Sequence, residues 1–475
     1  MNPQQFIAAN YGKPIVVVQG LGFVGSVMSL VVANAINGDY AVIGVDQDTE
    51  AGRKTVDSLN RGVFPIVADD PKINEYFGIA CKRGNLFATI DPNVYANADV
   101  VIVDINLDVK KISNDKYALA DYSVTLEPFK KAMETIGAHC KPDVLILVET
   151  TVPPGTCRNV VEPIIKDGLK KRGLQIDGIC IGHSYERVMP GPNYVDSIQS
   201  FYRVYSGIDE ASADAVEAFL KTIIRTDEYP LTRLGNTNAS EMAKVLENSY
   251  RATNIAFAVE WSRMAEEAGV DLYEVVNAIR QRPTHNNLMF PGIGVGGYCL
   301  TKDPLLASWS RKNMIGGADG LSQSEAAVSV NDQMPRYASE FLKKRYQESL
   351  EKRKILLLGV SYRGDVGDTR FSPVEVFCRC LLAMGAVVFA HDPYVAAWPE
   401  LDMNPYQMLD DALGNQPDIV VISAGHRLYQ NDETIQALLG CSRMMIYDTI
   451  GLLLKDQISK LRKKHDVIVL GRGDL

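Results

Sequence analysis

The chain lacks several features that mark common functional classes. Its 475 residues contain 49 Lys and Arg against 58 Asp and Glu, a net charge of −9 with no basic block, which excludes the positive surface that nucleic-acid binding requires. No run approaches the ~20 apolar residues of a transmembrane helix, and the N-terminus lacks the pattern of a secretory signal. The sequence therefore predicts a cytoplasmic protein with no membrane and no nucleic-acid partner.

Cysteine is scarce and shows no pairing pattern. The 8 cysteines include no CxxC pair and accompany no histidine cluster, so neither a metal site nor a disulfide framework is expected. Most such thiols act as small buried apolar groups. Cys299 differs because it lies in PGIGVGGYCLTKDP, where closely spaced glycines let backbone approach a ligand.

Short β-branched runs alternate with helical stretches at both ends of the chain, a pattern typical of parallel sheets with crossover helices. Candidate strands of the first part are 15–18, 41–45, 100–103, 144–148 and 179–181. Those of the last part are 354–360, 386–392, 418–423, 444–449 and 467–471. Between them, helices are predicted at 236–268, 272–279 and 322–342, the first opened by polar NTNAS and closed by Gly269.

The predicted fold class is α/β, with two Rossmann-like doubly wound parallel-sheet domains joined by a central helical domain that contains one long helix. The predicted boundaries are 1–210 for the first sheet domain, 211–335 for the helical domain and 336–475 for the second sheet domain.

The first sheet carries a dinucleotide-binding fingerprint. Strand 15–18 runs into GLGFVG, and Gly20, Gly22 and Gly25 permit a tight turn, close approach of backbone to pyrophosphate and helix packing. Phe23 and Val24 lie in the same turn. The next strand ends at Asp46, whose carboxylate can accept from the ribose hydroxyls and would repel a 2′-phosphate, so NAD is favoured over NADP. The alternative is a glycine turn of another α/β fold.

The second sheet begins similarly, but its first turn has no complete fingerprint. GVSYRGDVGDTR supplies Arg363 and Arg370, which suit an anionic group such as a nucleoside diphosphate. The alternative is a pair of surface arginines matched to Asp365 and Asp368.

Two further patterns are compatible with catalysis. Lys244 and Asn248 lie four residues apart on the long helix and could stabilise an oxyanion on one face. Asp303 lies four residues after Cys299 and could accept a proton if a helical turn starts there. The alternatives are a solvated lysine and an inert cysteine in a structural turn.

Several runs together resemble the UDP-glucose/GDP-mannose dehydrogenase family of nucleotide-sugar 6-dehydrogenases. In family order they are GLGFVG, ETTVPPGT, ERVMPG, KVLENSYRATNIAFAVE, GVGGYC with KDP, and GVSYRGDVGDTRFSP. The resemblance implies oxidation of C6 of a nucleotide-bound hexose to the uronic acid with NAD and without a metal. Within the family, the sequence most resembles the members that act on UDP-N-acetylhexosamines, because of its ERVMPG run and the longer segment after it.

The resemblance also implies residue roles. Cys299 would form the hemithioacetal and thioester, Lys244 and Asn248 would stabilise oxyanions, and Asp303 would assist proton transfer. Glu186 is linked to thioester hydrolysis and Thr151 to placement of the water, beside the cofactor. The implied substrate contacts are Glu186, Arg187, Lys244, Asn248, Arg282, Gly296, Tyr362 and Arg363, with Arg280 as an alternative to Arg282. The middle helix would build a homodimer or a higher homo-oligomer.

Three other interpretations stay open at this point. UDP-glucose could be the sugar. A two-electron 3-hydroxyacid or 6-phosphogluconate type of dehydrogenase would also join a Rossmann domain to helices, although it needs neither Cys299 nor a second nucleotide-binding domain. A non-enzymatic NAD-binding regulator is the third.

Overall fold

The computed structural model describes residues 1–66, 70–188, 191–346 and 349–475. Its contacts divide these residues into two compact units. The first unit is Met1–Lys110, Ser123–Leu246 and Trp309–Gly320, and the second is Lys111–Tyr122, Glu247–Ser308 and Leu321–Leu475. The boundaries predicted for three domains stay a prediction. Met189 and Pro190 of the ERVMPG run lie outside the described residues.

Strands and helices alternate through the chain before residue 236. The strands are β1 Ile15–Gln19, β2 Ala41–Val45, β3 Leu86–Thr89, β4 Val100–Val103, β5 Val109–Ser113, β6 Leu119–Val124, β7 Leu145–Val148, β8 Cys180–His183, β9 Val204–Gly207 and β10 Thr232–Arg233. The helices are α1 Pro3–Ala9, α2 Phe23–Ala33, α3 Glu50–Asn60, α4 Pro71–Arg83, α5 Glu127–His139, α6 Glu162–Lys171, α7 Asp196–Gln199 and α8 Glu210–Ile223.

The first unit is built on an 8-stranded sheet in the order β10-β9-β8-β7-β4-β1-β2-β3. All neighbours are parallel except β8 and β9. Val17 of β1 lies opposite Ile43 and Val101. Every residue of β1 is buried, because a parallel strand covered on both faces needs apolar side chains throughout. The predicted strands are confirmed, with β7 and β8 each beginning one residue later.

A hairpin follows β4 and was not predicted. Strands β5 and β6 form a 2-stranded sheet of their own, and residues Lys111–Tyr122 belong to the second unit. Their sequences, VKKIS and LADYSV, mix charged and apolar residues without the buried run of the other strands. Short-range hydrophobicity therefore carries no clear signal for this hairpin.

The middle of the chain is helical. Helices α9 Thr237–Ala268, α10 Leu272–Arg280, α11 Asp303–Asn313 and α12 Ser322–Arg345 confirm the prediction and add α11. The side chain of Asn236 accepts from the Ala239 amide at 3.0 Å and so caps the start of α9. Gly269, with φ +71°, follows its end.

The last part of the chain contains a 5-stranded sheet in the order β12-β11-β13-β14-β15, parallel throughout. Its strands are β11 Lys354–Leu358, β12 Val387–His391, β13 Ile419–Ile422, β14 Met445–Asp448 and β15 Asp466–Val469. The helices are α13 Pro373–Ala383, α14 Leu409–Leu413, α15 Asp432–Gly440 and α16 Lys455–Leu461. Two parallel sheets and a helical middle confirm the predicted fold class.

Candidate active site

The glycine turn after β1 has the geometry that a dinucleotide needs. Gly20 has φ +97°, and a Cβ there would lie 2.3 Å from the Asp104 carbonyl oxygen. A Cβ on Gly25 would lie 1.8 Å from the Gly20 oxygen, so this glycine permits helix packing. By contrast, a Cβ on Gly22 would meet nothing within 4 Å, which leaves the turn open. Phe23 begins α2, and its helix N-terminus suits a phosphate anion.

Asp46 follows the last residue of β2, as predicted. Its Oδ1 accepts from the Gln47 amide at 2.7 Å. Burial raises the pKa of the Asp46 carboxyl, while the Gln47 and Leu21 amides oppose that rise. A half-buried carboxylate beside the glycine turn can accept hydrogen bonds from the ribose hydroxyls, so these residues fit NAD.

Charged side chains that were not predicted cluster at the same edge of the first sheet. Asp104 follows β4 and Glu149 follows β7, and the buried Arg203 donates to Glu149. Burial raises the pKa of Glu149 to about 7 and that of Asp104 well above its usual range. Like-charge repulsion from Glu186 adds to both rises, and Arg203 opposes them. One cation thus faces several carboxyl groups.

Lys244 and Glu186 meet within the first unit. The Lys244 ammonium donates to the Glu186 carbonyl oxygen at 2.9 Å and lies 5.3 Å from the centre of the Tyr185 ring. The Glu186 carboxylate accepts from the Val188 amide. Burial, and next the charge of Lys244, lower the pKa of His183 to about 3, so this imidazole is neutral. The ammonium is thus held beside the ERV run.

Two further predicted residues of this unit are Arg187, next to Glu186 in the chain, and Thr151, after β7. Arg187 donates to the Tyr202 carbonyl and, at 3.2 Å, to the Tyr185 hydroxyl. Thr151 is half-buried and follows Thr150, whose hydroxyl accepts from the Ile105 amide at 2.8 Å. Thr151 therefore lies at the carboxyl edge of the sheet, after β7.

Glu241 holds the turn that follows Thr151. Its carboxylate accepts from the Gly155 amide at 2.6 Å and from the Cys157 amide at 2.7 Å. Burial raises the pKa of Glu241 to about 7, against these hydrogen bonds. Glu241 precedes Lys244 by three residues on α9, so one helix fixes this turn and carries the lysine.

In the second unit, Cys299 begins a helical turn, which was the condition for its spacing from Asp303 to matter. Its carbonyl accepts from the Asp303 amide at 2.9 Å, and its thiol is exposed. The buried Asp303 carboxylate accepts from Lys302 at 2.8 Å and from the Asn248 amide at 2.6 Å. The Lys302 ammonium lies 4.4 Å from the centre of the Tyr298 ring. Lysine, amide and carboxylate therefore form one hydrogen-bonded group at the cysteine turn.

Glycines of the cysteine loop pack against Tyr362. A Cβ on Gly296 would lie 2.7 Å from the Tyr362 Cβ, and one on Gly297 would lie 2.9 Å from the Tyr362 ring. Burial, the largest cause, raises the pKa of Tyr362, and Asp368 and Cys299 add to the rise. Only residues without a side chain fit this approach. The predicted substrate residues Gly296 and Tyr362 are therefore neighbours of the thiol.

The loop after β11 has one exposed arginine and one that is paired within the loop. Arg363 is exposed. Arg370 donates to Asp368 through two bonds of 2.9 and 2.6 Å, as the alternative interpretation expected. Asp365 pairs with Arg427 at 2.6 Å, so that alternative holds for Asp368 but not for Asp365. Arg427 lies in the loop after β13, and β13 is adjacent to β11 in the sheet although it is distant in sequence.

A buried network shapes this loop. The Asp392 carboxylate follows β12 and accepts from the Val360 amide at 2.8 Å and from the His426 Nε2 at 3.1 Å. The His426 Nδ1 accepts from the Asp365 amide at 2.8 Å, so its proton lies on Nε2. Burial alone would raise the pKa of Asp392, but the His426 bond and backbone amides lower it.

The predicted arginines of the central region differ in their contacts. Arg282 is exposed before a short 3-10 turn. Arg280 donates to the Asn286 carbonyl at 2.9 Å and lies 4.9 Å from the centre of the Phe290 ring.

Sequence reasoning missed Glu241, Lys302 and the buried carboxyl groups Asp104, Glu149 and Asp392. A usable signal exists for the last three, because each is the first residue after an apolar strand, where the carboxyl ends of parallel strands form binding edges.

The described residues contain neither a cluster of metal ligands nor a helix that could span a membrane. No group of three or more His, Cys, Asp or Glu side chains there is arranged to hold a metal ion. None of the helices in that part of the chain is both long and apolar enough to cross a membrane.

Comparison with known proteins identifies three matching segments. Residues 14–224 match the NAD binding domain of the UDP-glucose/GDP-mannose dehydrogenase family. Residues 238–333 match its central domain, and residues 356–455 match its UDP binding domain.

Individual relatives match over nearly the whole chain. UDP-N-acetyl-D-mannosamine dehydrogenase of Methanocaldococcus jannaschii is 31% identical, with 97% of each chain covered. NDP-N-acetyl-D-galactosaminuronic acid dehydrogenase of Ralstonia nicotianae is 26% identical over 92% of this chain and 95% of its own. The solved UDP-D-ManNAc dehydrogenase of Pyrococcus horikoshii has a similar fold, with a TM-score of 0.80, 24% identity, and 97% and 100% coverage. This chain belongs to the UDP-glucose/GDP-mannose dehydrogenase family and is an NAD-dependent nucleotide-sugar dehydrogenase.

Proposed function

We propose that this enzyme oxidises C6 of a UDP-N-acetylhexosamine to the uronic acid through covalent adducts of Cys299. The observation that carries the proposal is the exposed thiol on a helical turn whose Asp303 carboxylate is held by Lys302 and Asn248. A nucleophile beside a fixed proton acceptor suits acyl chemistry on a sugar carbon.

The reaction is written as two oxidations and one hydrolysis. The C6 alcohol loses a hydride to NAD and a proton to a base, which gives an aldehyde. The Cys299 thiolate adds to that carbon, and loss of a second hydride converts the hemithioacetal into a thioester. Water then cleaves the C–S bond and restores the thiol. The net change reduces two NAD, consumes one water and releases three protons for each carboxylate.

Hydrogen bonds of the second unit support separate tasks for Asn248 and Asp303. An amide NH2 has two donors, and the Asp303 carboxylate accepts one of them at 2.6 Å. The bond fixes the amide plane, and the second N–H serves the oxyanion. Asp303 takes a proton from attacking water. The Cys299 turn precedes the N-terminus of α11, where the helix dipole favours a thiolate.

The residues of the first unit supply the other proposed groups. The Lys244 ammonium, which donates to the Glu186 carbonyl, supplies the positive charge that stabilises an oxyanion on the substrate. Glu186 and Thr151 place the water that hydrolyses the thioester. Gly20, Gly22, Phe23, Val24, Gly25 and Asp46 hold NAD, which supplies the hydride acceptor.

The nucleotide-sugar is proposed from chemistry and likeness together. Tyr362 and the exposed Arg363 lie on the loop after β11, which suits an aromatic and a cationic contact with UDP. Gly296, Arg187 and Arg282 are proposed as further contacts. Relatives named for N-acetylated sugars support UDP-N-acetyl-D-mannosamine as the first substrate to test.

The test is an NADH assay on the purified enzyme with UDP-N-acetyl-D-mannosamine, UDP-N-acetylglucosamine, UDP-N-acetylgalactosamine, UDP-glucose and GDP-mannose. We expect two NADH for each N-acetylated sugar consumed. One NADH per sugar would contradict the four-electron reaction, and fastest turnover of UDP-glucose would replace the proposed substrate class.

We also propose a homodimer built on α9. Its exposed large apolar residues in the second unit are Tyr250, Phe257, Trp261 and Met264, exposed to 55%, 50%, 46% and 58%. Separations of seven, four and three residues place them on one helical face, and a second copy of the chain would cover this stripe. In light scattering, the double substitution Phe257→Glu and Trp261→Glu should halve the mass. Arg251→Glu, beside the stripe, is the control, and an unchanged dimer in the double variant would contradict the interface.

A further inference from the structure

The loop before Cys299 has little regular hydrogen bonding of its own. Gly294 and Gly297 have φ +126° and +81°, which leaves the backbone between them outside any strand or helix. Backbone polar groups in such a segment need partners from elsewhere. The Ile293 amide finds one in the Thr449 carbonyl, at 3.0 Å.

One side chain of α12 binds both polar groups of Val295. The Val295 amide donates to the Asn331 Oδ1 at 2.7 Å, and the Asn331 Nδ2 donates to the Val295 carbonyl at 2.9 Å. A carboxamide presents one acceptor and one donor in a plane, as a peptide group does. Asn331 therefore replaces the neighbouring strand that this residue lacks.

Helix α12 is itself fixed by contacts with the β5–β6 hairpin within the second unit. Asp332 pairs with Lys111 at 2.6 Å, and Glu325 accepts from the Tyr122 hydroxyl at 2.6 Å. Both contacts hold the helix on either side of Asn331 in sequence. The amide clamp on Val295 therefore starts from a rigid support.

A small apolar cavity lies beside the clamped loop. It is lined by Ala252, Ile255, Val295, Leu300, Ala327, Val328 and Asn331. Because the loop is incompletely packed on this side, loss of the Asn331 hydrogen bonds would permit a small shift of its backbone. Val295 and Leu300 flank the thiol in sequence, so such a shift would move Cys299.

We propose that Asn331 is a positioning residue that fixes the Cys299 thiol through the backbone of Val295. The proposal rests on the proposed function, since positioning matters only if the thiol attacks the sugar. A displacement of about 1 Å at a reacting atom can lower a rate about a hundredfold, whereas nucleotide binding depends on other residues.

The test compares Asn331→Ala and Asn331→Asp with Gln333→Ala, a control on the same helix whose amide bonds only to Ser329. With UDP-N-acetyl-D-mannosamine and NAD, we expect kcat to fall about 10- to 100-fold in both Asn331 variants. The KM for the sugar nucleotide should stay within about threefold, since the proposed substrate contacts other than Gly296 lie outside residues 292–299. Gln333→Ala should match the wild type in both constants.

The Asn331→Asp variant adds a second measurement, the pH dependence of kcat, which a simple loss of stability would not explain. Its ionised carboxylate accepts from the Val295 amide but repels the Val295 carbonyl, and protonation restores a donor. The adjacent Asp332 pairs with Lys111, and burial raises the pKa of its carboxyl, but wild type and variant share this group. The ratio of its kcat to that of the wild type should therefore rise as the pH falls from about 8 to about 5. A flat ratio together with a wild-type kcat would overturn the proposal.

Backbone hydrogen exchange of residues 292–299 separates this proposal from the proposed function. We expect the Val295 amide to exchange about tenfold faster in both Asn331 variants, and at the wild-type rate in Gln333→Ala. Unchanged exchange would overturn the clamp, and faster exchange with unchanged kcat would overturn the positioning role. If the wild type oxidises none of the UDP-sugars, the proposed function fails while exchange still decides whether Asn331 holds the loop.

Discussion

The first turns of the two parallel sheets share a geometry and differ in chemistry. Gly20 after β1 and Gly359 after β11 have φ +97° and +92°, so in both sheets the backbone leaves the first strand through a glycine of positive φ. Beyond it, Gly22 leaves the first turn open, whereas the second turn has Tyr362 and Arg363. One topology thus presents bare backbone in one unit and an aromatic and a cationic side chain in the other.

The carboxylate after the second strand shows the same contrast. Asp46 after β2 is half-buried, and Oδ1 accepts from the adjacent Gln47 amide. Asp392 after β12 is fully buried and accepts from Val360, Tyr394 and His426. A carboxylate whose lone pairs are taken by its own chain is unavailable to a ribose. The second sheet therefore uses this position to shape a loop, and the first keeps it for a ligand.

The largest expected effect removes the chemistry and leaves the cofactor site intact. Cys299→Ser should lower uronic acid formation at least about a thousandfold, because a serine hydroxyl is a far weaker nucleophile than a thiolate. NAD affinity, measured by calorimetry, should stay within about twofold, since Cys299 lies in the second unit. Undiminished acid formation would refute the thioester, and Cys81→Ser, the other exposed cysteine, is the control.

A smaller effect concerns the step assigned to the first unit. Glu186→Gln should slow acid release about a hundredfold, because the neutral amide offers one acceptor oxygen in place of two and places the attacking water less well. The enzyme-bound thioester should then accumulate and appear in intact mass during turnover. An unmodified mass with slow release would place Glu186 outside hydrolysis, and Glu50→Gln, an exposed carboxyl at 85%, is the control.

The next prediction separates the two aspartates by ligand. Asp46→Ser should weaken NAD binding about 10- to 100-fold, because hydrogen bonds to a carboxylate are worth about 1.5 to 3 kcal/mol. UDP binding by the same variant should be unchanged. Equal NAD affinity in variant and wild type, measured by calorimetry, would show that the ribose contact is misassigned.

Asp392→Asn should weaken UDP binding and leave NAD binding unchanged, and the effect should be smaller than that of Asp46→Ser on NAD. Loss of the charge weakens the bonds from Val360 and His426 that shape the loop after β11. We expect UDP affinity to fall about fivefold, because the affected contact is indirect. NAD affinity is the internal control and Asp410→Asn the exposed one. A fall in NAD affinity instead would contradict the division of ligands between the sheets.

The last prediction concerns the pH dependence of stability in the first unit. Burial raises the pKa of Glu241 from 4.5 to about 7, so the folded protein retains a proton that the unfolded chain has lost between those values. The stability from this group is therefore lost as the pH rises through about 7. Relative to the wild type, Glu241→Gln should gain up to about 3 kcal/mol between about pH 5 and pH 8.

Thermal melting of both proteins across this pH range measures the difference. Glu50→Gln, with an exposed carboxyl, should show a constant offset from the wild type. A constant offset for Glu241→Gln as well would mean that its carboxyl titrates normally in the folded state.

Local pattern was sufficient for much of the fold. Apolar runs located five of the eight strands of the first sheet and all five of the second, and the polar residue Asn236 and Gly269 marked the ends of α9. The i to i+4 spacing allowed a turn between Cys299 and Asp303, and the structure has it, because a helical hydrogen bond depends only on neighbours in sequence. Whether the residues named for the site act as proposed stays a prediction for the experiments above.

Local pattern failed where charge and distance mattered more than periodicity. The β5–β6 hairpin has charged strands, and its Lys111 finds a partner in Asp332, more than two hundred residues later. The pairing of Asp365 with Arg427, rather than with Arg363, follows from the adjacency of β11 and β13. Neither partner is visible from spacing, since sheet order brings distant segments together.

Residue order alone predicts two parallel sheets, a long helix, a glycine turn for a dinucleotide and a cysteine followed by a carboxylate at helical spacing. All of these depend on contacts between near neighbours. The folded chain adds pairings that spacing does not predict: the Asp392 carboxylate accepts from the Val360 amide, Glu241 holds the turn after Thr151, and Asn331 holds Val295. These choices depend on which buried donors meet which acceptors, because a buried polar group must find a partner wherever the folded chain provides one.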